Sequence, residues 1–420
     1  MQDRLTTGVL MALMVGAAVA LALAGCSGAP AFAPDARRDA LDQVTSFGAN
    51  PGNLNMYRYV PPAMPAAAPL VVALHACTQT AADFQSAGWN QLADTQKFYV
   101  VYAEQTTANN SLRCFNWSGV QRGQGEPESI KQMVDQMKAD YSIDAGRVFV
   151  TGFSAGGVET INLLALYPDV FAAGASLAAV PFDCATTISD ASACLSPGKV
   201  KTAAEWGTLA LSGDPGFAGK PPRAILWHGA SDSVVAVANL GELVKQWTDV
   251  QGIDATVDST VTIGSLTHTQ YRDAAGAARV ETFEVAGLDH AMPVDPTHGC
   301  GVAGQYFPDV GICAVREIAA AFGILTGSVS PPDGGAATDD LGALPTGDGA
   351  TVPAATDDAG EIAGTGGGND GGTGSTPTAG GCAVTAGAAP LSSGPLLGLV
   401  LFVLGAGRFR RRARGAPASG

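Results

Sequence analysis

The central part of the chain, residues 50–325, predicts an α/β fold in which helices cover both faces of a mostly parallel sheet. Short apolar runs of this kind are typical of strands that are buried on both faces. They occupy residues 70–74, 98–102, 147–151, 173–177, 224–227 and 281–285. Between them, residues 128–141 and 158–166 space apolar side chains three and four apart, which predicts one-sided helices. The alternation of strands and helices indicates crossover connections and a parallel sheet.

Composition narrows the class of protein. The 420 residues include 23 Lys and Arg against 38 Asp and Glu, which gives a formal net charge of −15. A nucleic-acid binder is not expected, because phosphate contacts need clustered Lys and Arg. Global disorder is not expected either, because 46% of the residues are hydrophobic.

The amino terminus is typical of export. Arg4 precedes an apolar stretch at 9–23, so residues 1–25 are predicted to be a secretory signal peptide. Residues 23–26 resemble a bacterial lipobox, in which Cys26 is lipidated after cleavage. The alternative is an ordinary small-residue cleavage site at 22–24. Residues 26–49 are interpreted as a linker.

The carboxyl terminus has two parts. Residues 326–381 contain no Lys or Arg and consist mostly of small residues and Asp, which predicts a flexible acidic tether. Residues 382–420 begin with Cys382, continue with an apolar stretch at 396–404 and end in an Arg cluster. This order resembles the myxobacterial C-terminal sorting signal, in which the tail is processed near the cysteine. The alternative is a plain membrane anchor, and both place the folded part outside the cytoplasm.

Six cysteines remain once the two processing cysteines are set aside. An even number in an exported protein predicts disulfides. Sequence proximity favours Cys184–Cys194 and Cys300–Cys313, which leaves Cys77–Cys114. Metal binding is not expected, because the chain has no CxxC or HxxxH pattern.

The candidate nucleophile is Ser154. It lies in Gly152-Phe153-Ser154-Ala155-Gly156, between the predicted strand 147–151 and the helix that follows. A serine on such a sharp strand-to-helix turn is exposed above the sheet, and the N–H of Ala155 then faces a developing oxyanion. The alternative is a structural glycine-rich turn.

A serine nucleophile needs a base, and His290 is the best-placed histidine. It follows the last predicted strand, where hydrolases with the chain order Ser, Asp, His carry their base. His298 is the reserve. His268 precedes that strand and is predicted to be a surface residue.

The acid that orients the base is predicted to be Asp232. It follows the strand at 224–227 and stands between Ser154 and His290 in the chain. The alternative is an Asx-turn aspartate. Asp289 ranks lower, because adjacent side chains in a loop seldom face each other.

The loop at 75–79 follows the strand at 70–74 and should supply a second oxyanion donor, for which the backbone N–H of Cys77 is the candidate. A Cys77–Cys114 disulfide would stiffen this loop, although a purely structural bridge is the alternative. His75 is predicted to be a hydrogen-bonded structural histidine.

These motifs resemble the poly(3-hydroxybutyrate) depolymerase family of esterases, and feruloyl and acetylxylan esterases share much of the pattern. The matching segments are 74–79, 88–90, 113–117, 123–126, 150–157, 167–172 and 299–313. The resemblance implies an α/β-hydrolase fold and catalysis by Ser154, Asp232 and His290 without a metal or cofactor. Two positions depart from the family: Ala76 stands where Gly is usual, and Asp289 places an extra carboxylate beside the base. No appended polymer-binding module is found.

The predicted function is that of a secreted or surface-held serine esterase, at the outer membrane in the anchored case, that cleaves poly(3-hydroxybutyrate) or its oligomers. The alternative substrate is feruloylated or acetylated plant polysaccharide. A non-catalytic adhesion scaffold is a distant third interpretation, because it need not keep the triad order. Trp117 and Met292 are candidates for the acyl pocket. The expected partner is an ester substrate, with membrane contact only through the terminal anchors.

Overall fold

A computed structural model of the protein describes residues 41–186 and 188–325. The predicted signal peptide, lipidation at Cys26, acidic tether and sorting segment with Cys382 lie outside the described residues, so they stay predictions. No helix in the described part is long and apolar enough to cross a membrane.

One ten-stranded sheet organises the described residues, in the order β1-β2-β4-β3-β5-β6-β7-β10-β9-β8. The strands are β1 (Asp42–Val44), β2 (Asn55–Tyr59), β3 (Ala68–Leu74), β4 (Tyr99–Glu104), β5 (Ile143–Phe153), β6 (Ala173–Leu177), β7 (Arg223–Gly229), β8 (Ser259–Ile263), β9 (Leu266–Arg272) and β10 (Ala278–Val285). The six central strands from β4 to β10 pair in parallel, and the pairs at both ends of the sheet are antiparallel.

Helices cover both faces of this sheet. They are α1 (Ala81–Gln85), α2 (Trp89–Gln96), α3 (Gly125–Asp140), α4 (Ala155–Leu166), α5 (Ile188–Leu195), α6 (Ala203–Leu211), α7 (Ala238–Gln251) and α8 (Ala314–Phe322). Alternate residues of β3 enter opposite cores: Val72 packs with α3 and α4, and Val71 packs with α1, α2 and α8. The central strands are therefore buried on both faces, as their continuous apolar sequences predict.

The structure confirms the predicted α/β fold class and corrects its edges. The six predicted strands are the six parallel ones, whereas the four antiparallel edge strands were not expected. β1 lies within the predicted linker 26–49, so Asp42–Val44 of that stretch belong to the sheet. β8 shows why such strands are hard to predict: apart from its half-buried first residue it is exposed, and no continuous apolar run marks it. Helices α3 and α4 both begin three residues earlier than predicted.

Three disulfides join Cys77 to Cys114, Cys184 to Cys194 and Cys300 to Cys313, the pairing that sequence proximity favours. All three lie in segments that follow β3, β4, β6 or β10. Parallel strands end at one edge of the sheet, so the disulfides connect loops at the carboxyl ends of the strands. This is the edge at which α/β proteins bind their ligands. Disulfides are typical of exported proteins.

Candidate active site

Ser154 occupies a strained turn between β5 and α4. Its φ of 56° lies in the left-handed region, which non-glycine residues rarely adopt. A side-chain carbon on Gly152 would collide with the carbonyl oxygen of Gly156, and one on Gly156 would collide with that of Leu74. The turn closes only because both positions are glycine, and it leaves the serine above the sheet edge.

A continuous hydrogen-bonded chain joins Ser154, His290 and Asp232. His290 Nδ1 lies 2.8 Å from Asp232 Oδ2, and His290 Nε2 lies 2.9 Å from Ser154 Oγ. A carboxylate only accepts hydrogen bonds, so Nδ1 carries the hydrogen and Nε2 accepts from the serine hydroxyl. The structure thus brings together the three residues that the sequence analysis selected, in the arrangement that a general base needs.

Asp232 is held as a carboxylate inside the protein. Its side chain is fully enclosed, and Oδ1 accepts hydrogen bonds from the backbone N–H groups of Val234 at 2.9 Å and Val235 at 2.8 Å. Burial alone would raise the pKa of Asp232, but the hydrogen bond from His290 and the two backbone donors keep that pKa below its ordinary value. The acid therefore remains ionised beside the base.

The ring of His290 is fixed from the side as well as through its nitrogens. It packs against the ring of Phe153, with 4.8 Å between the ring centroids. Phe153 precedes the nucleophile directly, so the strand that carries Ser154 also supports the base.

Asp289 joins two loops and does not contact the imidazole in this structure. Its Oδ1 accepts from the N–H of Ser233 at 2.8 Å, the hydroxyl of Ser233 at 2.9 Å and the N–H of His290 at 2.8 Å. The backbone hydrogen bond from Ser233 is the main reason that the pKa of Asp289 is lowered. The departure from the family at this position thus connects the loop that carries His290 to the loop that carries Asp232.

The two remaining histidine candidates lie away from Ser154. His298 pairs with Asp295 at 2.6 Å, and its side chain is 62% exposed. His268 was predicted to be a surface residue, and its side chain is 29% exposed. It lies in β9, where its Nε2 is 2.8 Å from Glu281 Oε2 and its ring stacks on Phe283. Its strand was not recognised in the sequence, and so neither was its packing.

The two candidate oxyanion donors come from adjacent turns. Ala155 is the first residue of α4, where a helix leaves its N–H groups free. Gly156 packs directly on the carbonyl oxygens of Leu74 and His75, which brings the end of β3 and the loop with Cys77 against the elbow. Neither the Ala155 nor the Cys77 N–H donates to a backbone oxygen of the described residues.

Ala76 does not distort this loop. It is absent from the described residues with positive φ, so its methyl group causes no left-handed strain. Its N–H donates to Gln79 Oε1 at 3.0 Å. The loop is further tied by the Cys77–Cys114 disulfide and by the N–H of Thr78, which donates to Leu112 O.

His75 is structural, as predicted. Its Nε2 accepts from the N–H of Gln105 at 2.9 Å, and its Nδ1 lies 2.7 Å from the carbonyl oxygen of Ala76. Burial lowers the pKa of His75 to about 4, so the imidazole is neutral at physiological pH.

A cleft of about 290 Å³ borders the loop at 75–79, which we call the oxyanion loop because it holds the candidate donor Cys77. Its lining residues are Thr78, Gln79, Asp83, Ser86, Gly304, Gln305, Tyr306 and Phe307. The ring of Tyr306 is 6.4 Å from that of Phe153, next to the nucleophile. One wall includes Thr78, the residue after Cys77 of the Cys77–Cys114 disulfide, and the other, residues 304–307, lies within the loop closed by Cys300–Cys313.

Neither pocket residue expected from the sequence lines this cleft. Met292 is fully buried, and its N–H donates to the carbonyl oxygen of Tyr306. Trp117 packs against the core that contains α3 and α4. Residues 304–307 were not recognised as cleft residues because they form no helix or strand. Their signals in the sequence were the flanking Cys300 and Cys313 and their place within the family-like segment 299–313.

The sequence of the chain is similar to those of known esterases. The sequence model of the family described as Esterase PHB depolymerase matches residues 54–264. The chain is 52% identical over 292 residues to poly(3-hydroxyalkanoate) depolymerase C of Paucimonas lemoignei, covering 68% of this chain and 70% of that protein. It is 32% identical over 265 residues to feruloyl esterase B of Talaromyces funiculosus, covering 61% and 74%.

A solved structure shares the fold. The acetyl xylan esterase from Aspergillus awamori aligns with a TM-score of 0.59 at 27% identity, covering 68% of this chain and all of that chain. The predicted fold class and family resemblance are thereby confirmed. The chain belongs to the Esterase PHB depolymerase family and is a carboxylic ester hydrolase with the α/β-hydrolase fold.

Proposed function

We propose that this protein hydrolyses the ester bonds of a poly(3-hydroxyalkanoate), with poly(3-hydroxybutyrate) or its oligomers as substrate, through an acyl-enzyme on Ser154. The observation that carries the proposal is the hydrogen-bonded chain from Asp232 through His290 to Ser154. Its support is the 52% identity to a poly(3-hydroxyalkanoate) depolymerase.

In the acylation step, His290 Nε2 takes the hydroxyl proton while Ser154 Oγ bonds to the ester carbonyl carbon. The carbonyl oxygen becomes an oxyanion, which the N–H groups of Ala155 and Cys77 stabilise. Asp232 stabilises the imidazolium that forms on His290. The carbon–oxygen bond to the leaving group then breaks, and His290 returns the proton to the departing alcohol.

Deacylation repeats the same steps with water. His290 takes a proton from water as the water oxygen attacks the acyl carbon, and the new oxyanion meets the same two donors. Collapse releases the carboxylic acid and restores the Ser154 hydroxyl with the proton held by His290. The residues present fit this chemistry without a metal or cofactor.

The cleft beside the oxyanion loop is the proposed place of the polyester chain. Its one carboxylate, Asp83, accepts hydrogen bonds from the N–H and hydroxyl of Thr80 at 2.9 and 2.7 Å. The other lining residues are uncharged and include the hydroxyl and amide groups of Thr78, Gln305 and Tyr306. An aliphatic polyester carries no charge and offers ester carbonyls as acceptors, which suits such a lining.

A second candidate activity is feruloyl or acetylxylan ester hydrolysis. It is favoured by the 32% identity to a feruloyl esterase and by the structural match to an acetyl xylan esterase. The triad chemistry would be the same, and only the acyl and alcohol groups would differ.

The proposed location is the cell surface. Three disulfides fit an oxidising compartment. Lipidation of Cys26 and processing near Cys382 are the proposed means of attachment, each still to be tested by mass analysis of the mature chain.

The deciding experiment compares the full chain with its Ser154→Ala variant. Each receives 3-hydroxybutyrate oligomers and, separately, feruloylated and acetylated xylan fragments. We expect release of 3-hydroxybutyrate by the wild type, and a loss of at least about 10⁴-fold in the variant. Release of ferulate or acetate alone would move the substrate to plant polysaccharide. Equal rates in both proteins would refute the mechanism, and no activity on any ester would favour the adhesion scaffold.

A further inference from the structure

A second buried histidine lies against the acid of the triad. His228 is near the end of β7, four residues before Asp232, and both side chains are fully enclosed. Its Nε2 is 2.9 Å from the carbonyl oxygen of Val235 and 3.6 Å from Asp232 Oδ2. The reaction steps above do not use this residue.

The hydrogen bond to Val235 determines the tautomer of a neutral His228. A carbonyl oxygen only accepts, so Nε2 carries the hydrogen and donates it. A neutral imidazole has one N–H, which leaves Nδ1 without a hydrogen. Among the described residues, Nδ1 of His228 is buried with no hydrogen-bond partner, so a second proton there would meet no acceptor. Burial also lowers the pKa of His228.

Val235 links this imidazole to the carboxylate. Its N–H donates to Asp232 Oδ1 at 2.8 Å, and its carbonyl oxygen accepts from His228 at 2.9 Å. The segment 228–235, which we call the acid loop, is therefore closed around the Asp232 carboxylate by its own first and last residues. The other carboxylate oxygen, Oδ2, bonds to His290.

The charges around His228 explain why a neutral ring is useful. Asp232 faces it from the acid loop, His290 from the base loop, and Glu284 stands opposite it on β10. When His290 takes the serine proton, its new charge is stabilised by Asp232. A second cation 3.6 Å from Asp232 Oδ2 would compete for the same carboxylate and repel the imidazolium.

We propose that His228 is a positioning residue: its neutral imidazole closes the acid loop and keeps Asp232 available to His290 alone. The proposal rests on the triad proposed above. Because His228 is enclosed and does not reach the cleft, its effect falls on the chemical step and not on substrate binding.

The test uses three variants of the full chain on a soluble ester, p-nitrophenyl butyrate. Glutamine places an amide N–H near the position of Nε2, whereas asparagine is too short to reach Val235 and leucine has no donor. We expect His228→Leu and His228→Asn to lower kcat by about 10- to 100-fold at unchanged KM, the usual effect of losing one buried partner. His228→Gln should recover most of that loss.

Controls separate this proposal from the others. His268→Gln removes a half-buried imidazole at the far side of β10 and should leave kcat unchanged, and thermal unfolding reports whether each variant is folded. If Ser154→Ala is inactive while folded His228→Leu or His228→Asn keeps the wild-type kcat, the role of His228 is refuted and the triad stands. A change confined to KM would also refute it. A folded His228→Gln variant that loses as much kcat as His228→Asn would also refute it. This comparison does not involve leucine, so it holds even if His228→Leu does not fold.

Discussion

The oxyanion loop at 75–79 and the acid loop at 228–235 begin in the same way and are secured differently. The oxyanion loop follows β3, the acid loop begins in the last two residues of β7, and each opens with a buried histidine. Both ring nitrogens of His75 have hydrogen-bond partners, whereas in His228 only Nε2 has one among the described residues. The oxyanion loop is tied by the Cys77–Cys114 disulfide, whereas the acid loop is closed by hydrogen bonds within the described residues.

The difference follows from what each loop presents. A carboxylate accepts several strong hydrogen bonds, so Asp232 gathers the N–H groups of Val234, Val235 and the base around itself. A backbone N–H that must wait for an oxyanion has no partner to hold it in place. The proposed Cys77 donor would therefore depend on an external tie, and the Cys77–Cys114 disulfide is such a tie. Catalytic loops that present an unpaired donor need more outside support than loops built around a charge.

The largest expected effect comes from breaking the acid loop at its centre. Asp232→Asn should lower kcat about 10⁴-fold, because an amide that donates to His290 Nδ1 favours the wrong tautomer. The measurement is kcat on p-nitrophenyl butyrate. Asp289→Asn is the matched control. It leaves the contacts of the His290 ring with Asp232 and Ser154 in place and should lower kcat about tenfold or less. Equal losses in the two variants would contradict the assignment of Asp232.

The next effect tests the covalent tie. Removing Cys77–Cys114 by a double Ser substitution should lower kcat about tenfold to a hundredfold, since the Cys77 N–H loses its fixed position. It should also lower the free energy of unfolding by about 2–4 kcal/mol. The double Ser substitution at Cys184 and Cys194 should destabilise the chain while leaving kcat unchanged. If kcat fell only in the Cys184 and Cys194 variant, the Cys77–Cys114 disulfide would not be the one that supports catalysis.

The third effect is acid sensitivity from the oxyanion loop. The pKa of His75 is about 4 in the folded protein and about 6.5 when unfolded. Below pH 6.5 the unfolded state therefore binds the extra proton, and the stability that neutral His75 allows is lost as pH falls towards 4. The loss should reach about 3 kcal/mol. Denaturant unfolding of wild type and His75→Gln between pH 4 and 7 checks it, and the variant should lack this component. An equally steep decline in both proteins would exclude His75 as its source.

The smallest effect concerns the cleft that the oxyanion loop borders on one side. Tyr306→Ala should raise KM for 3-hydroxybutyrate oligomers about threefold to tenfold, because a cleft side chain contributes about 1 kcal/mol of contact. Hydrolysis of p-nitrophenyl butyrate should change little. Val310→Ala, an exposed position in the same disulfide-closed loop but outside the cleft lining, is the control. Equal KM values for Tyr306→Ala and wild type would place the polymer elsewhere.

The sequence by itself determined the features that short stretches of chain specify. The six buried strands follow from continuous apolar runs, and the elbow around Ser154 follows from glycines at 152 and 156 placed between a strand and a helix. Two disulfides followed from proximity along the chain, and the third joins the two cysteines that remained. The chain order Ser, Asp, His selected Ser154, Asp232 and His290. In the structure the ring nitrogens of His290 lie 2.8 Å from the Asp232 carboxylate and 2.9 Å from the Ser154 hydroxyl.

The tertiary structure alone decided whatever depends on residues far apart in the chain. His290 and Ser154 are separated by 136 positions, so the chain order could only rank His290 above His298, and the folded sheet brought His290 against Ser154. The edge strands and the link between loops through Asp289 were likewise absent from local patterns. Local sequence sets the backbone and the burial of each segment, whereas hydrogen bonds between loops depend on where the sheet brings their ends.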